Sequence, residues 1–294
     1  MSKHIIIGID DTDDIESKGT GAIASELRTL IERAGFGTCG YVTRHQLLVH
    51  PDIKYTSHNS SMVFDADIDE AVLQDAIRAV CEHVAKESAP TSDPAVAVLC
   101  PDDADDPHTL TAFGFLAKNK VLTRDDAFAT AKRCGVFLKA LGGDGSGVIG
   151  AFAGVALRMS GNDGELKGGA KEFLSENSYT VRQIEENAFI DEVRATDGGT
   201  PQENDIVFVP WKIKPVLTDG KLVAFVKNDG AGGWTAFCKK ENRDMEFARH
   251  DIASCEHYKD DVDEERVSNA QNTCLNCIFR RWTHNGFSCE HKKK

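Results

Sequence analysis

The chain has 294 residues and a formal net charge of −13, with 41% hydrophobic and 28% charged residues. These values are ordinary for a globular protein with one large domain or two smaller ones. A protein whose whole surface binds nucleic acid is usually basic, so the acidity excludes that class. Binding of nucleic acid to this chain would need a local basic patch. No segment reaches the roughly 20 apolar residues that cross a bilayer, and "MSKHIIIGIDD" becomes acidic too early for a secretory signal. We therefore expect a cytoplasmic protein without membrane contacts.

The start of the chain predicts an α+β unit. "HIIIGID" is typical of a buried strand, and residues 17–37 have the apolar spacing of a helix that Ser17 or Thr20 would cap and Gly35 would end. A strand, another strand, a helix and a short buried strand are then predicted over residues 39–50, 60–68, 69–87 and 94–100. The resulting β-α-β-β-α-β order predicts a ferredoxin-like fold.

The pattern changes after the acidic loop "CPDDADDPH". Residues 124–141 predict one helix, "GGDGSG" ends it, and residues 148–161 predict a second helix rich in small residues. Strands dominate afterwards, and "DG" between "DIVFVPWKIKPVL" and "KLVAFVKN" predicts a hairpin. We expect an α/β unit, a helical and strand-rich unit and a cysteine-rich tail, over residues 1–107, 108–250 and 251–294.

An acidic loop follows the first predicted strand in "IIIGIDDTDD". Carboxylates between a buried strand and a helix lie where open α/β sheets bind ligands. Hard oxygen ligands suit Mg²⁺, which commonly takes one or two carboxylates and substrate phosphates, and Gly19 places backbone near the helix start, where phosphates bind. The alternative is a solvated acidic turn that caps the helix. The carboxylates belong to Asp10, Asp11, Asp13 and Asp14.

A glycine-rich stretch, "GGDGSGVIGA", leads into the predicted helix of small residues at 148–161. Glycines before a helix offer free backbone N–H groups that would cradle an anion. Small residues here equally favour close helix packing. Both interpretations stay open.

Cations and an aromatic residue gather in "YVTRHQLLVHPDIKYTSHNSS". Such side chains on a strand-loop-strand unit would hold a phosphate group or a nucleic acid. Arg44, Lys54 or His58 would neutralise a transferred group. An ordinary polar connection is the alternative.

Four of the nine cysteines lie near the end of the chain, at Cys255, Cys274, Cys277 and Cys289. Four thiolates suit a closed tetrahedral Zn²⁺ site or, equally, an iron–sulfur cluster. Histidines 257, 284 and 291 are spare ligands. Reduced structural or redox thiols are the alternative. Arginines and aromatic residues make this tail locally basic, which favours contact with nucleic acid or, alternatively, a solvated tail.

Several of these motifs together resemble one family. "IGIDDTD", "HPDIKY", "SDPAVAV" and "GSGVIGA" occur in the order found in the catalytic half of archaeal tRNA-isoleucine 2-agmatinylcytidine synthetases. The stretch "DIVFVPWKIKPVLTDGKLVAFVKN" is similar to the ferredoxin-like segment of that family. The resemblance covers residues 4–228, and the chain looks like a shorter homologue with a different C-terminal region.

The resemblance implies an ATP- and Mg²⁺-dependent kinase-like unit that activates a cytidine for attack by agmatine. Asp10, Asp11 and Asp13 would hold the metal and the ATP phosphates, and the glycines 145, 147 and 150 would line a second element. The middle motif is matched at Arg44, Tyr55 and Asn59. The chain departs from the family at "KGTGAI" and "TSHNSS", so the acceptor, a tRNA or a small amine, does not follow from the resemblance.

Three functions stay open from the sequence. The first is an ATP-dependent kinase- or ligase-like transferase with Asp11, Arg44 and His58 as catalytic residues. The second is a non-catalytic nucleic-acid-binding or regulatory protein with a zinc or iron–sulfur tail. The third is a phosphatase of the haloacid dehalogenase type, although "DDTD" lacks the glycine usual after the second aspartate. The sequence does not indicate the oligomeric state.

Overall fold

A computed structural model gives the fold of the chain. It describes residues 1–168, 170, 174, 177–186, 189–210, 212–236, 255–261, 266, 273–283 and 286–293. The chain divides into two compact units, Met1–Gly164 and Glu165–Lys294. The division differs from the predicted boundary near residue 108, and the predicted boundary near residue 250 lies outside the described residues.

The first unit contains five strands and five helices, all within residues 1–164, which are described throughout. The strands are β1 (Ser2–Asp10), β2 (Gly37–Gln46), β3 (Ser60–Asp69), β4 (Ala95–Leu99) and β5 (Phe137–Ala140). The helices are α1 (Thr20–Arg33), α2 (Leu73–Glu87), α3 (Pro107–Ala117), α4 (Arg124–Arg133) and α5 (Gly147–Met159). Short 3₁₀ turns at Glu70–Val72 and Pro101–Asp103 precede α2 and α3.

The strands of this unit form an antiparallel sheet in the order β5-β4-β1-β3-β2. Its first part follows the predicted order β-α-β-β-α-β along the chain. The α+β class predicted from the sequence is confirmed. The N-cap of helix α1 is Gly19, so neither Ser17 nor Thr20 caps the helix as predicted. Gly35 ends the helix in a left-handed conformation (φ 69°), as predicted.

Strand β1 is buried on both faces, which explains its uninterrupted apolar run. Ile5, Ile7 and Ile9 pack with residues of α1 and α2, whereas Ile6 packs in a second core with α3, α4 and α5. Gly8 faces α5 so closely that a Cβ would lie 2.7 Å from the carbonyl oxygen of Ala151. The sheet therefore separates two helical layers, and α5 lies directly against its centre.

The helix predicted over residues 124–141 is wrong in its second half. Helix α4 ends at Arg133, and Gly135 adopts a left-handed conformation (φ 72°) that reverses the chain. The following residues form β5, which pairs with β4 from Val98–Phe137 to Ala95–Ala140. Because this pairing joins residues far apart in sequence, the helical spacing of apolar residues did not reveal it.

The second unit is rich in strands. They are β6 (Glu165–Leu166), β7 (Asn177–Thr180), β8 (Glu192–Ala195), β9 (Ile206–Val209), β10 (Val216–Thr218), β11 (Lys221–Asn228) and β12 (Trp234–Ala236), with helix α6 at Val181–Glu185. The predicted hairpin is present as β10 and β11, joined at Asp219 and Gly220, which both have positive φ. The order β6-β10-β11-β12-β9-β7 places β11 beside β10 and β12, and β8 also pairs with β11.

The tail contains a further antiparallel pair, β13 (Arg280–Thr283) and β14 (Gly286–Cys289), between short 3₁₀ turns at Cys274–Asn276 and Glu290–Lys293. Asp260 bridges to Cys277 in front of this pair. Within the described residues, no helix has the length and apolar character needed to cross a membrane.

Candidate functional site

A cavity of about 380 Å³ lies in the first unit where four separate segments meet. The segments are the loop after β1, the β2–β3 loop, the α3–α4 loop, and the glycine loop that leads into α5. Helix α5 packs on β1, so its first turn lies next to the carboxyl end of that strand. The charged side chains that line the cavity include Asp10, Asp11, Lys54, Lys120, Arg124 and Asp144.

Two aspartates of the predicted loop line this cavity. Burial raises the pKa of Asp10 well above its usual value, and the charge of Asp11 raises it further. Burial also raises the pKa of Asp11 to about 6, with a contribution from the Asp93 carboxylate. Asp11 has a left-handed backbone (φ 52°), a conformation that is uncommon outside glycine and concentrates at functional sites. The negative charge of this pair is therefore poorly compensated by the protein alone.

The other two aspartates have local roles. The Asp13 carboxylate accepts hydrogen bonds from the hydroxyls of Thr20 (2.7 Å) and Thr56 (3.2 Å). Asp14 accepts a bond from the Thr91 hydroxyl (2.9 Å) and from two backbone N–H groups of its own turn, which lowers its pKa. Neither residue is among those that line the cavity. The acidic loop thus combines two cavity residues with two residues that shape the turn.

The glycine loop is held by Asp93, which precedes β4. Its carboxylate accepts the backbone N–H of Asp144 and the hydroxyl of Ser146 (3.2 Å). The backbone N–H of Asp93 in turn donates to Asp11. Asp93 therefore connects the aspartate loop to the start of α5. It belongs to the "SDPAVAV" motif, but no site role was predicted for it.

The glycines of α5 permit close approach to the aspartates. A Cβ at Gly150 would overlap the Asp10 carboxylate, and a Cβ at Gly147 would overlap the carbonyl of Asp93 and lie 3.0 Å from the Asp11 Cβ. Both glycines line the cavity. Gly145, with φ 81°, turns the loop before α5, and Gly19 caps α1 with open space around it. Close packing, one of the two predicted explanations, applies at Gly147 and Gly150.

The cations predicted around residues 41–61 have different positions. Lys54 lines the cavity and donates to the Asp144 carboxylate (2.9 Å), which raises the pKa of Lys54 and lowers that of Asp144. Arg44 lies on β2 and donates to the side chains of Ser60 and Gln46, both at 3.0 Å. His58 contacts Ser57. Of the matched polar positions in this motif, Asn59 lines the cavity, whereas neither Arg44 nor Tyr55 nor His58 is among its lining residues.

Two further cations reach the cavity from the α3–α4 loop. Lys120 and Arg124 were not predicted as site residues. Arg124 is the first residue of α4, and its Nη1 lies 3.6 Å from the position that a Cβ on Gly145 would take. The sequence around them, "KNKVLTRDD", contains only a helix-cap signal, which explains why they were missed.

A buried polar network lies elsewhere in the same unit. His45 is fully buried, and its ring contacts the Thr43 hydroxyl (2.8 Å) and the Asp163 carboxylate (3.0 Å). Lys118 donates to Asp163 (2.6 Å), and Arg158 donates to Thr43 (3.0 Å) and pairs with Asp65. Burial lowers the pKa of His45. The network connects the end of α3, the last turn of α5 and strands β2 and β3 through hydrogen bonds.

The four tail cysteines line one small cavity of about 60 Å³ in the second unit, together with His257 and His291. The two histidine rings stack with centroids 3.8 Å apart. The third spare histidine, residue 284, lies outside the described residues. In the described part of the chain, no three His, Cys, Asp or Glu side chains are grouped so that they could hold a metal ion. The cysteines are therefore brought to one cavity without forming a closed ligand set.

No protein-family model matches the chain, and no curated protein matches it. Among solved structures, a complex of the tRNA agmatidine synthetase TiaS with tRNA and ATP is similar, with a TM-score of 0.46 and 23% identity over 52% of this chain and 36% of that chain. The complex of TiaS with tRNA, AMPCPP and agmatine gives a TM-score of 0.45 and 23% identity over the same shares. A tRNA fluorescent labeling enzyme gives 0.45 and 24% identity, again over 52% and 36%.

The resemblance to this synthetase that the sequence motifs predicted is confirmed. The matched part amounts to 36% of the TiaS chain. With TM-scores below 0.5, these likenesses do not assign a function to the chain.

Proposed function

We propose that this protein is a Mg²⁺-dependent, ATP-using enzyme that transfers a phosphoryl or adenylyl group to an acceptor. One observation carries the proposal: a single cavity contains two carboxylates with raised pKa values, three cations and the first turn of α5. Carboxylates for a metal, cations for phosphates and helix N–H groups for an anion are the parts that phosphoryl transfer needs. The predicted motifs at both ends of the first unit supply most of them.

The residues present fit a magnesium ion of the kind that binds with its nucleotide. Mg²⁺ usually takes one or two carboxylates and completes its shell with substrate phosphates and water. Asp10 and Asp11 supply two carboxylates whose mutual repulsion a cation would relieve. Asp13, which the resemblance implied as a third ligand, instead accepts hydrogen bonds from two threonines. We therefore assign the metal to Asp10 and Asp11, with Asp13 as a residue that shapes the loop.

The chain's own groups bind and orient the nucleotide. When bound, ATP supplies an electrophilic phosphorus and Mg²⁺ supplies charge neutralisation. Ser146 and Gly147 line the cavity at the start of α5. The Ser146 N–H donates to the Asp144 carboxylate (2.9 Å), so the Gly147 N–H is the group we assign to a phosphate. Lys54, paired with Asp144 at 2.9 Å, would hold the glycine loop beside the bound nucleotide. Arg44 and His58, which the sequence predicted as catalytic residues that neutralise a transferred group, do not line the cavity.

For the acceptor we propose a nucleobase in an RNA or a small amine. The solved complexes named above contain tRNA, ATP or its analogue, and agmatine, and those ligands define the class to test first. The proposal extends the fold assignment as well: the strand order β4-β1-β3-β2 with α1 and α2 on one face supports the predicted ferredoxin-like unit.

We also propose that the tail cysteines bind Zn²⁺ or an iron–sulfur cluster. The support is the residue chemistry, since four cysteines and two histidines line one small cavity. Metal content and the visible spectrum of anaerobically purified protein distinguish zinc, which is colourless, from a cluster, which is brown. If the protein lacked ATP binding but retained such a metal, the regulatory, nucleic-acid-binding alternative would be favoured.

Calorimetric titration of ATP into the protein, with and without Mg²⁺, tests the proposed function. The variants are Asp11→Asn and, as a matched control with the same change of carboxylate to amide, Asp102→Asn on an exposed turn outside the cavity. We expect Mg²⁺-dependent binding in the wild type and the control, and its loss in Asp11→Asn.

Equal ATP binding by Asp11→Asn and the wild type would remove the metal assignment. Absence of binding in folded wild-type protein would contradict the function as a whole. A covalent aspartyl-phosphate formed without ATP would favour the phosphatase alternative.

A further inference from the structure

We propose that Lys120 and Arg124, on the α3–α4 loop, are the residues that bind the polyphosphate of the substrate and neutralise its transferred group. This inference rests on the proposed function and assigns a role that the sequence motifs gave to Arg44, Lys54 or His58. It concerns the described residues of the first unit alone.

The charge pairing of the cavity singles out these two residues. Lys54 is already paired with Asp144 at 2.9 Å. Within residues 1–164, by contrast, neither the Lys120 ammonium nor the Arg124 guanidinium has a carboxylate within ion-pair distance or a hydrogen-bond partner, although 47 of the chain's residues are Asp or Glu. Cations that line a cavity without protein partners are available for an anionic ligand.

The backbone of the α3–α4 loop is fixed at both ends, so these cations have defined anchor points. At the start, Lys120 N–H donates to the Leu116 carbonyl (2.8 Å), and the Lys118 ammonium holds the Gln46 carbonyl (2.9 Å) and Asp163. At the end, Thr123 and Asp126 form a reciprocal capping box at the first turn of α4. A phosphate contact from this loop would therefore cost little further ordering of the backbone.

The position of Arg124 fits the phosphate nearest α5. The Arg124 guanidinium lies against Gly145, two residues before Gly147, which begins α5. The Ser146 N–H between them donates to the Asp144 carboxylate (2.9 Å). An anion at this helix start would meet the Gly147 N–H from one side and a planar, bidentate donor from the other. Lys120, a flexible point charge on the same loop, lines the same cavity and would contact another phosphate.

With Lys120 and Arg124 in these positions, the affinity of a nucleotide should depend on its number of phosphates. The two cations would interact strongly with ATP or inorganic triphosphate and weakly with AMP. A hydrogen bond to a charged group contributes more than a neutral one, and each 1.4 kcal/mol corresponds to about tenfold in affinity. We expect Lys120→Gln and Arg124→Gln each to weaken ATP binding by about tenfold and AMP binding by about twofold or less.

The test is calorimetric titration of ATP, AMP and inorganic triphosphate into wild-type protein, Lys120→Gln, Arg124→Gln and Lys132→Gln, with Mg²⁺ at low ionic strength. Lys132→Gln is the matched control, because Lys132 is an exposed cation of α4 that does not line the cavity. All three substituted side chains are exposed, so near-UV circular dichroism and thermal unfolding should match the wild type.

Loss of ATP and triphosphate affinity in Lys120→Gln and Arg124→Gln, with AMP affinity and the control unchanged, supports the inference. ATP binding equal to the wild type in both variants overturns it and leaves the proposed function intact. Triphosphate binding that both variants lose, in a protein that binds no ATP, supports the cation site while the proposed function fails. Absence of binding to ATP and to triphosphate overturns both.

Discussion

The aspartate cluster of the first unit and the cysteine cluster of the tail differ in how firmly the surrounding protein fixes their side chains. In the first unit, Asp10 and Asp11 are held against α5 so closely that a Cβ at Gly150 would overlap the Asp10 carboxylate. In the tail, four cysteines line a cavity of about 60 Å³. Among the described residues, neither cluster groups three ligand side chains as a metal site. The difference is that the packing of α5 on β1 holds the two aspartates in place.

The free energy of ligand binding would have a different origin in each cluster. The aspartate cluster carries an electrostatic cost in the folded protein, visible in the raised pKa values of Asp10 and Asp11, which a cation and a nucleotide would relieve. If the cysteine cluster binds a metal as proposed, the metal would organise it, as in small structural zinc sites, where metal binding supplies folding free energy. The first cluster should therefore respond to changes of charge and packing, and the second to metal removal.

The largest effect is expected from Asp11→Asn on ATP turnover. Loss of a metal ligand should lower turnover by about a thousandfold, since charge neutralisation by a metal contributes several kcal/mol to phosphoryl transfer. The variant should remain folded, because it removes a charge that burial and Asp93 disfavour. Radiolabelled-phosphate release and thermal unfolding measure the two properties, and turnover within tenfold of the wild type would contradict the assignment.

A smaller effect is expected from Gly150→Ala. The added methyl group collides with the Asp10 carboxylate, so nucleotide affinity should fall and the free energy of unfolding should decrease by about 1–3 kcal/mol. The matched variant Gly40→Ala, where the nearest atom to the new Cβ is 3.5 Å away, should have little effect on either quantity. Denaturant unfolding and ATP titration of both variants measure the free energy of unfolding and the ATP affinity. Equal values for Gly150→Ala and Gly40→Ala would mean that the close contact at α5 is unimportant.

Acid should destabilise the first unit through His45. The ordinary histidine pKa is 6.5, and burial lowers the pKa of His45 in the folded protein. Below pH 6.5 the unfolded chain therefore binds a proton that the folded chain does not, and stability falls as the pH decreases. The slope from this residue is at most about 1.4 kcal/mol per pH unit. Unfolding free energies from pH 7 to 5 should show a shallower slope in His45→Gln than in the wild type.

The control for this prediction is His108→Gln, since His108 is an exposed histidine on α3. Parallel slopes in wild-type protein and His45→Gln would show that other groups cause the acid sensitivity.

The smallest effect on the nucleotide site is expected from the tail. Every residue that lines the cavity of the first unit belongs to residues 1–164. Replacing Cys274 and Cys277 by serine should abolish stoichiometric zinc or cluster binding while ATP affinity stays within about twofold, a change below 0.5 kcal/mol. Elemental analysis and ATP titration of the same preparation check both. A concerted loss of metal and ATP would show that the two clusters depend on each other.

Local sequence patterns predicted the elements that local contacts determine. The run "HIIIGID", the hairpin turn at Asp219 and Gly220, and the helix stop at Gly35 each carry their signal within a few residues. Strand β5 could not be predicted in this way, because its pairing with β4 is non-local and its apolar residues also fit a helical spacing.

The candidate site was predictable to a similar extent. Asp10, Asp11, Gly147 and Gly150 lie in recognisable motifs and are brought together by the packing of α5 on β1. The sequence did not separate them from Asp13 and Asp14, since hydrogen bonds from threonines far along the chain decide the roles of those two. Lys120 and Arg124 were missed because a loop between two helices places them in the cavity without any motif.

The central claim is that Asp10 and Asp11 bind a divalent cation together with the phosphates of a nucleotide. Anomalous X-ray diffraction from crystals grown with Mn²⁺ and a non-hydrolysable ATP analogue tests it most directly. We predict a manganese peak at the Asp10 and Asp11 carboxylates, with the polyphosphate between the start of α5 and the α3–α4 loop. A nucleotide bound elsewhere, or a cavity that holds neither ion nor nucleotide at saturating concentrations, would contradict the claim.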